Sequence, residues 1–155
     1  MGCDIHSAVE VFDVEKWNWI RDIKFPLYES ERFTNEPFAW RHYNMFCFLA
    51  DIYCKSSILE HLSSYRGLPI DLSSELNQGE FSFNSNLWLG EFGYGYLLLN
   101  EILVFDYDKP YPETTFADAK TYRDMLGEDF FRDIEIMKQL NSESTKIRIV
   151  FGFDN

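Results

Sequence analysis

The sequence predicts an α+β fold in which several helices pack on a small, mainly antiparallel sheet that contains both chain ends. Residues 2–10 and 146–155 alternate between apolar and polar side chains as β-strands do, and the middle of the chain has helical apolar spacing. The chain of 155 residues is long enough for one domain with a sizeable core and short for two. We therefore expect a single domain over residues 1–155.

The two terminal strands each combine an apolar face with an ionisable face. In the first strand, Asp4, His6 and Glu10 share one face, because alternate residues of a strand point to the same side. In the last strand, Arg148 and Asp154 share a face for the same reason. If the strands are neighbours, these side chains form one polar row. We expect a functional site along this row before any other place.

Between the terminal strands, the pattern predicts a short hairpin strand followed by a mostly helical segment. The predicted elements are a strand at 17–20, a proline-containing irregular segment at 21–40, helices at 44–53 and 56–62, a glycine-rich loop at 90–96, a buried helix at 97–104, and helices at 115–126 and 128–140. Thr115 and Asp118 have the spacing of a capping box, which predicts a helix start, and Gly127 predicts its end.

Composition and charge exclude several classes of protein. Hydrophobic residues make up 46% and aromatic residues 18%, which excludes a disordered chain. No apolar run approaches the roughly 18 residues of a membrane-spanning helix, and the first residues do not have the pattern of a secretory signal. The net charge of −12 disfavours direct binding of nucleic acid or of anionic membranes. We therefore predict a cytoplasmic protein with neither of these partners.

The three cysteines carry no Cys-x-x-Cys pair, which indicates reduced thiols in a cytoplasmic protein. Cys47 and Cys54 are seven residues apart, a spacing that places both on one face of a helix. We interpret them as small buried hydrophobic side chains rather than as metal ligands.

The polar row allows two kinds of chemistry. Asp4 and His6 are metal-ligand types suited to Zn, Mn or Fe, but the three histidines lie in unrelated segments, so we predict neither a metal nor another cofactor. Acid–base hydrolysis by Asp4, His6 and Glu10, or by Asp154, stays an alternative, because neighbouring carboxylates raise one another's pKa. No nucleophile elbow or phosphate-binding loop occurs, so a binding protein is favoured over an enzyme.

Two further sets of residues are predicted to bind partners. A four-residue spacing in the late helices stacks acids that would dock a basic protein: Asp124, Glu128, Asp129 and Asp133. A small anion such as a nucleotide would instead lie at the glycine-rich loop, which carries Tyr94, with Arg41, Arg66 or Arg148 as its cation. An acidic surface that serves only solubility stays open beside both.

Short motifs spread over the chain resemble a family of short proteins encoded by bacteriophages and prophages. The chain begins Met-Gly-Cys-Asp-Ile-His at residues 1–6, has Arg-Gly-Leu-Pro at 66–69 and ends Phe-Asp-Asn at 153–155. Residues 41–50 are similar to the Arg-Asn-Tyr-x-x-Phe-x-x-Leu-Ala segment of that family, and Glu10 follows the opening motif as it does there. The resemblance implies a phage origin.

One segment departs from the family pattern. Relatives often carry a stretch similar to Asp-Gly-His-Ser-His-Ser-Trp before the buried helix, whereas residues 91–96 here read Glu-Phe-Gly-Tyr-Gly-Tyr. The resemblance therefore implies that any metal site of the relatives is incomplete in this chain. With the acidic charge and the aromatic content, it favours an accessory protein that binds and inhibits a basic host protein, either a nucleic-acid-handling or a defence factor. The oligomeric state is left open.

Overall fold

The computed structural model of the protein describes residues 2–27, 30–77, 87–112 and 119–155. Its strands are β1 (Asp4–Asp13), β2 (Lys16–Trp19), β3 (Phe25–Pro26), β4 (Phe33–Thr34), β5 (Leu76–Asn77), β6 (Leu87–Trp88), β7 (Phe92–Leu98) and β8 (Ile147–Asp154). Its helices are α1 (Tyr43–Ala50), α2 (Leu99–Leu103), α3 (Tyr122–Leu126) and α4 (Glu128–Lys138), and a 3-10 turn at Ser144–Lys146 leads into β8.

The two ends of the chain form the centre of the main sheet. Its strand order is β2-β1-β8-β7, and every neighbouring pair is antiparallel. In the β1–β8 pair, Asp4 lies opposite Asp154 and Glu10 lies opposite Arg148. The predicted α+β class, with both terminal strands in one antiparallel sheet, is confirmed. The predicted adjacency of their polar residues is confirmed as well.

One face of this sheet packs on the helices and forms the main core. Ile5 and Val9 of β1 lie there with alternate residues of β8, from Ile147 to Phe153, because alternate side chains of a strand share a face. Phe46 of α1 and Phe130 of α4 are fully buried against this layer. Within the described ranges, no helix is long and apolar enough to cross a membrane.

The opposite face of the sheet is not polar throughout, contrary to the simple alternation expected from the sequence. Ala8 and Val150 lie opposite each other on that face, and both are fully buried in a second cluster with Trp19, Leu76 and Leu89. These apolar groups interrupt the predicted polar row in its middle. The row therefore has two separate ends, one at Glu10 and one at Asp154.

The prediction of a glycine-rich loop at residues 90–96 is wrong from residue 92 onward, because the chain forms the edge strand β7 there. Gly90 has a φ of 83°, and a Cβ atom there would lie 2.6 Å from the carbonyl oxygen of Phe153. Glycine thus permits the close approach of this segment to β8. Leu97 and Leu98 complete β7, so the following helix begins at Leu99 and not at residue 97.

Two other helix predictions need correction. Residues 56–62 form turns and not a helix, and Leu62 donates its N–H to the carbonyl oxygen of Phe48 in α1. The helix expected from residue 115 begins at Tyr122, where Thr121 and Asp124 form the capping box. The box predicted at residues 115 and 118 lies outside the described residues. The helices predicted at 44–53 and 128–140 are confirmed, with ends a few residues shorter.

The expectation of three reduced thiols is wrong, because Cys47 and Cys54 form a disulfide. Helix α1 ends at Ala50, and Asp51 adopts a left-handed conformation with a φ of 61°. The chain therefore turns back, and the Cα atoms of the two cysteines are 4.9 Å apart. Cys3 is a buried free thiol.

Reduction of this disulfide is expected to lower the free energy of unfolding by about 2 kcal/mol, the entropy effect of opening so short a loop. Chemical unfolding of the wild-type chain with and without reductant measures the change. The Cys54→Ser variant is the control, because its stability should not respond to reductant. An unchanged wild-type curve would contradict the prediction.

Candidate functional site

The inner end of the polar row is a sealed ion pair. Arg148 donates from Nε to Oε1 of Glu10 at 2.6 Å, and the backbone N–H of Ser73 donates to Oε2 at 2.7 Å. The Glu10 side chain has no exposed surface, and burial raises its pKa. Glu10 is thus cut off from any substrate, and its predicted role in acid–base catalysis is wrong.

Arg148 makes further contacts at this inner end of the polar row, with Asp71 and Trp17. One guanidinium nitrogen donates to Oδ1 of Asp71 at 2.8 Å, and another donates to the backbone carbonyl oxygen of Asp71 at 3.1 Å. The guanidinium carbon lies 4.1 Å from the centre of the Trp17 ring, which is a cation–π distance. Only 4% of the side chain is exposed. The prediction that Arg148 holds a soluble anion is therefore wrong.

The outer end of the row stays accessible. His6 and Asp154 are joined by a hydrogen bond of 2.6 Å between Nε2 and Oδ1, and each side chain is 24% exposed. The His6 ring also lies 4.9 Å from the ring of Trp88. Asp4, the first residue of β1, lies beside them and accepts two hydrogen bonds from Arg41, at 2.8 and 3.1 Å. Sequence reasoning placed Asp4, His6 and Asp154 together, and the structure does so.

Arg41 reaches Asp4 because His42, the next residue in the chain after Arg41, fixes the start of α1. His42 caps the helix by accepting the N–H of Met45 at its Nδ1 atom, and its Nε2 atom donates to the carbonyl oxygen of Met125. Burial lowers the pKa of His42, so the ring stays neutral and can both accept and donate. This anchor places Arg41 at the rim of the open end.

A cleft of about 460 Å³ opens at this end of the sheet. The residues that line it combine carboxylates, a histidine, a cation and aromatic walls: Asp4, Ile5, His6, Leu27, Phe33, Thr34, Glu36, Ala39, Trp40 and Arg41. Strand β2 pairs only with the second half of β1. On the side of β1 away from β8, and among the described residues, the first half is bordered by the irregular segment around Glu36 and Pro37 and not by a strand. We name this space the open cleft.

Glu36 is the residue of the open cleft that sequence reasoning missed. Its Oε1 accepts the backbone N–H of Ser7 at 3.1 Å, and the Ser7 hydroxyl donates to the carbonyl oxygen of Pro37 at 2.6 Å. Burial raises the pKa of the Glu36 carboxyl, while the Ser7 hydrogen bond and nearby His6 act in the opposite direction. No periodic pattern marks residues 34–38, so the sequence offered no signal for this contact.

Arg66 and Tyr94 are also held within the fold. Arg66 forms a two-bond ion pair with Glu101, at 2.9 and 2.6 Å, and donates to the carbonyl oxygen of Tyr96. The hydroxyl of Tyr94 donates to the carbonyl oxygen of Gly90 at 2.5 Å. The Tyr94 bond lies at the start of β7 and the Arg66 bonds lie at its end and in α2. Both side chains are therefore engaged within the fold, which argues against the predicted anion site.

The four acids predicted as one docking surface have different roles. Asp124 caps α3, and its pKa is lowered mainly by the backbone N–H of Lys120. Asp129 pairs with Arg132, and Glu128 is exposed. Asp133 is only 1% exposed and accepts the N–H of Phe38 at 2.9 Å, so its predicted place on a docking surface is wrong. Four-residue spacing put it on a helical stripe but did not tell which side faces the core.

Asp133 predicts a specific dependence of stability on pH. Burial raises the pKa of its carboxyl from 3.8 to about 6. Its protonated form therefore contributes stability that is complete below the unfolded pKa and is lost as pH rises through about 6. Relative to Asp133→Asn, whose amide oxygen can still accept the Phe38 N–H, the wild-type chain should lose up to about 3 kcal/mol across this range. Urea unfolding of both chains at several pH values measures the difference, and a constant difference would contradict it.

The described part of the chain contains no group of three His, Cys, Asp or Glu side chains that is arranged to hold a metal ion. The residues that line the open cleft supply hydrogen-bonding groups, charges and aromatic surface. Comparisons of the chain with protein-family models, with curated proteins and with solved structures found no match.

Proposed function

We propose that the chain is a phage-encoded accessory protein that binds a basic surface of a host protein and inhibits it. The net charge of −12 is the observation that carries this proposal. A protein of this charge attracts basic surfaces and repels phosphate-rich ones, and the attraction speeds association with the correct partner. The motifs that resemble phage proteins support the origin, and they point to the cytoplasm of a bacterial host.

The distribution of charge strengthens the proposal. Many of the cations are already paired with acids of the same chain, among them Arg41, Arg66, Lys109, Arg123, Arg132, Lys138, Lys146 and Arg148. The excess acids are therefore left to interact with a partner. Large apolar side chains on the surface add contact area of the kind that anchors interfaces: Phe33, Tyr53, Ile58, Tyr65, Ile70 and Val104.

The cytoplasmic part of this proposal must accommodate the disulfide. A bacterial cytoplasm keeps thiols reduced, so the bond between Cys47 and Cys54 would be open there. Because the loop that it closes is short, the expected loss of stability is small enough for the fold to persist. The reductant experiment described above therefore also measures whether the fold tolerates the reduced state that this compartment would impose.

A tagged pull-down from bacterial host lysate tests the proposed function. We expect one host protein with a basic surface to be retained in near-stoichiometric amount at low salt and lost at high salt, because salt screens exposed charges. An unrelated acidic domain of similar net charge is the control for non-specific retention. Capture that does not respond to salt, or no capture beyond the control, would contradict the proposal.

Acid–base hydrolysis at the open cleft is a second candidate, favoured by the short bond between His6 and Asp154. When Asp154 accepts the Nε2 proton of His6, the Nδ1 atom can serve as a base, and Glu36 with its raised pKa can serve as an acid. This pair replaces the predicted set that included Glu10. Screening for hydrolysis with the wild-type chain and His6→Gln tests it. No turnover by the wild-type chain, or equal turnover by both, would remove this candidate.

A further inference from the structure

We propose that the open cleft is a recognition site for one basic side chain of a partner protein, and for arginine in particular. This inference rests on the proposed function and gives it a location. The proposed function requires only a basic partner and an acidic surface, whereas the inference names Glu36 as the counter-ion and aromatic side chains as the walls.

The Glu36 carboxylate can accept a cation. Among the residues that the structure describes, no cation lies within ion-pair distance of its carboxylate, in contrast to Glu10, Glu101 and Asp4. The backbone N–H of Ser7 is its hydrogen-bond donor at 3.1 Å. Among the described residues, the one donor to this partly buried carboxylate is neutral, so the carboxylate has unused capacity to accept hydrogen bonds. A cation that enters the cleft would supply them.

The open cleft already has one cation among its lining residues, Arg41. Arg41 lies at the rim, and two of its nitrogens donate to the same oxygen of Asp4 at 2.8 and 3.1 Å. Its charge is thus matched by Asp4, and His6, the other basic group near Glu36, is hydrogen-bonded to Asp154. The Arg41–Asp4 pair and Glu36 line the same cleft. An anionic ligand would meet the Glu36 carboxylate, which argues against a nucleotide.

Two aromatic side chains, Phe33 and Trp40, form a wall of the open cleft. Trp40 and Phe33 line the cleft together with Glu36, and Phe33 is 58% exposed. The ammonium of Lys24 lies 6.0 Å from the centre of the Phe33 ring, so this ring already attracts a cation within the chain. A guanidinium group stacks on aromatic rings and donates two parallel hydrogen bonds to a carboxylate, which an ammonium cannot do. The cleft therefore suits arginine better than lysine.

The experiment is an NMR titration of the isotope-labelled full chain with N-acetyl-arginine amide. N-acetyl-citrulline amide is the matched probe, because it has the same shape without the charge. We expect the arginine probe at millimolar concentration to shift the indole signal of Trp40 and the amide signals of residues 34–41. The citrulline probe should leave these signals in place.

Two variants assign the effect to Glu36. Glu36→Gln keeps an oxygen that can accept the Ser7 N–H, and it should weaken binding of the arginine probe about tenfold through loss of the charge pair. Glu15→Gln removes the same charge at an exposed position of the turn between β1 and β2 and should leave binding unchanged. Equal weakening by both variants, or arginine and citrulline probes of equal effect, would overturn the inference.

The inference and the proposed function fail in different ways. If a host protein is captured in a salt-dependent manner and Glu36→Gln captures it equally well, the proposed function stands and the cleft is not its anchor. If the arginine probe binds the cleft and no host protein is captured, the recognition site stands and the proposed partner is wrong. Absence of shifts at Trp40 and at residues 34–41 overturns the inference in either case.

Discussion

Replacement of Arg148 by Met should lower the free energy of unfolding by about 3–5 kcal/mol, the usual effect of leaving one charge of a buried ion pair without its partner. Arg148 is the cation that compensates Glu10, whose side chain has no exposed surface. Methionine fills similar space but donates no hydrogen bond. Asp71, the second partner, is 64% exposed and can be solvated, so the loss falls on Glu10. Chemical unfolding measures the effect.

A second variant and a control make this result specific. The double variant Glu10→Gln with Arg148→Met should recover at least about 2 kcal/mol, because it removes the charge that the single variant leaves buried. Arg66→Met breaks the two-bond pair with Glu101, whose side chains are more exposed, at 30% and 31%, and it should cost only about 1 kcal/mol. Equal losses for Arg66→Met and Arg148→Met would show that burial does not set the effect.

Replacement of Gly152 by Ala is expected to destabilise the fold by about 3 kcal/mol, at the upper end of ordinary overpacking. Gly152 lies in the central strand β8, and a Cβ atom there would collide with the carbonyl oxygen of Leu89 and lie 2.7 Å from the ring of Tyr94. Leu89 is held by its buried cluster and cannot move aside freely. Because Gly152 is also opposite His6, the shift should disturb the open cleft. Thermal unfolding and the His6 NMR signals report both effects.

Gly127→Ala is the matched control for Gly152→Ala. Gly127 has a φ of 82°, but a Cβ atom there would meet nothing within 4 Å. Its substitution therefore introduces backbone strain alone, which costs about 2 kcal/mol, because a φ of 82° with a ψ of 170° is a conformation that essentially only glycine adopts. If both substitutions lowered stability by the same amount, close packing against Leu89 would not be the cause of the loss at Gly152.

The sequence was most informative where one face of an element is buried along its whole length. Strands β1 and β8 alternate regularly, so their faces followed from period two. The pairing of the two strands, which brings Asp4, His6 and Asp154 together, was an additional hypothesis that the structure bears out. The same period gave no sign that Ala8 and Val150 would be covered by a distant segment. The division of the polar row into a sealed end and an open end is thus a tertiary effect.

The sequence was least informative where irregular segments supply the contacts. Residues 34–38 place Glu36 beside Ser7, and Ser73 closes the pocket of Glu10, yet neither segment has a periodic pattern. Glycines misled the prediction at residues 92–96, because their role there is close packing against β8 and not a loop. The spacing of Cys47 and Cys54 indicated one helical face, whereas the left-handed residue Asp51 ended the helix between them.

The central claim is that one end of the β1–β8 polar row is structural and the other is a binding site for a basic side chain. The carboxyl carbons of Glu10 and Glu36 report on both ends, and burial raises the pKa of both groups. NMR titration of these carbons over pH, with and without N-acetyl-arginine amide, is the most direct test. We predict that the probe lowers the pKa of Glu36 and leaves that of Glu10 unchanged. If the probe changed neither pKa, or lowered both equally, the claim would be contradicted.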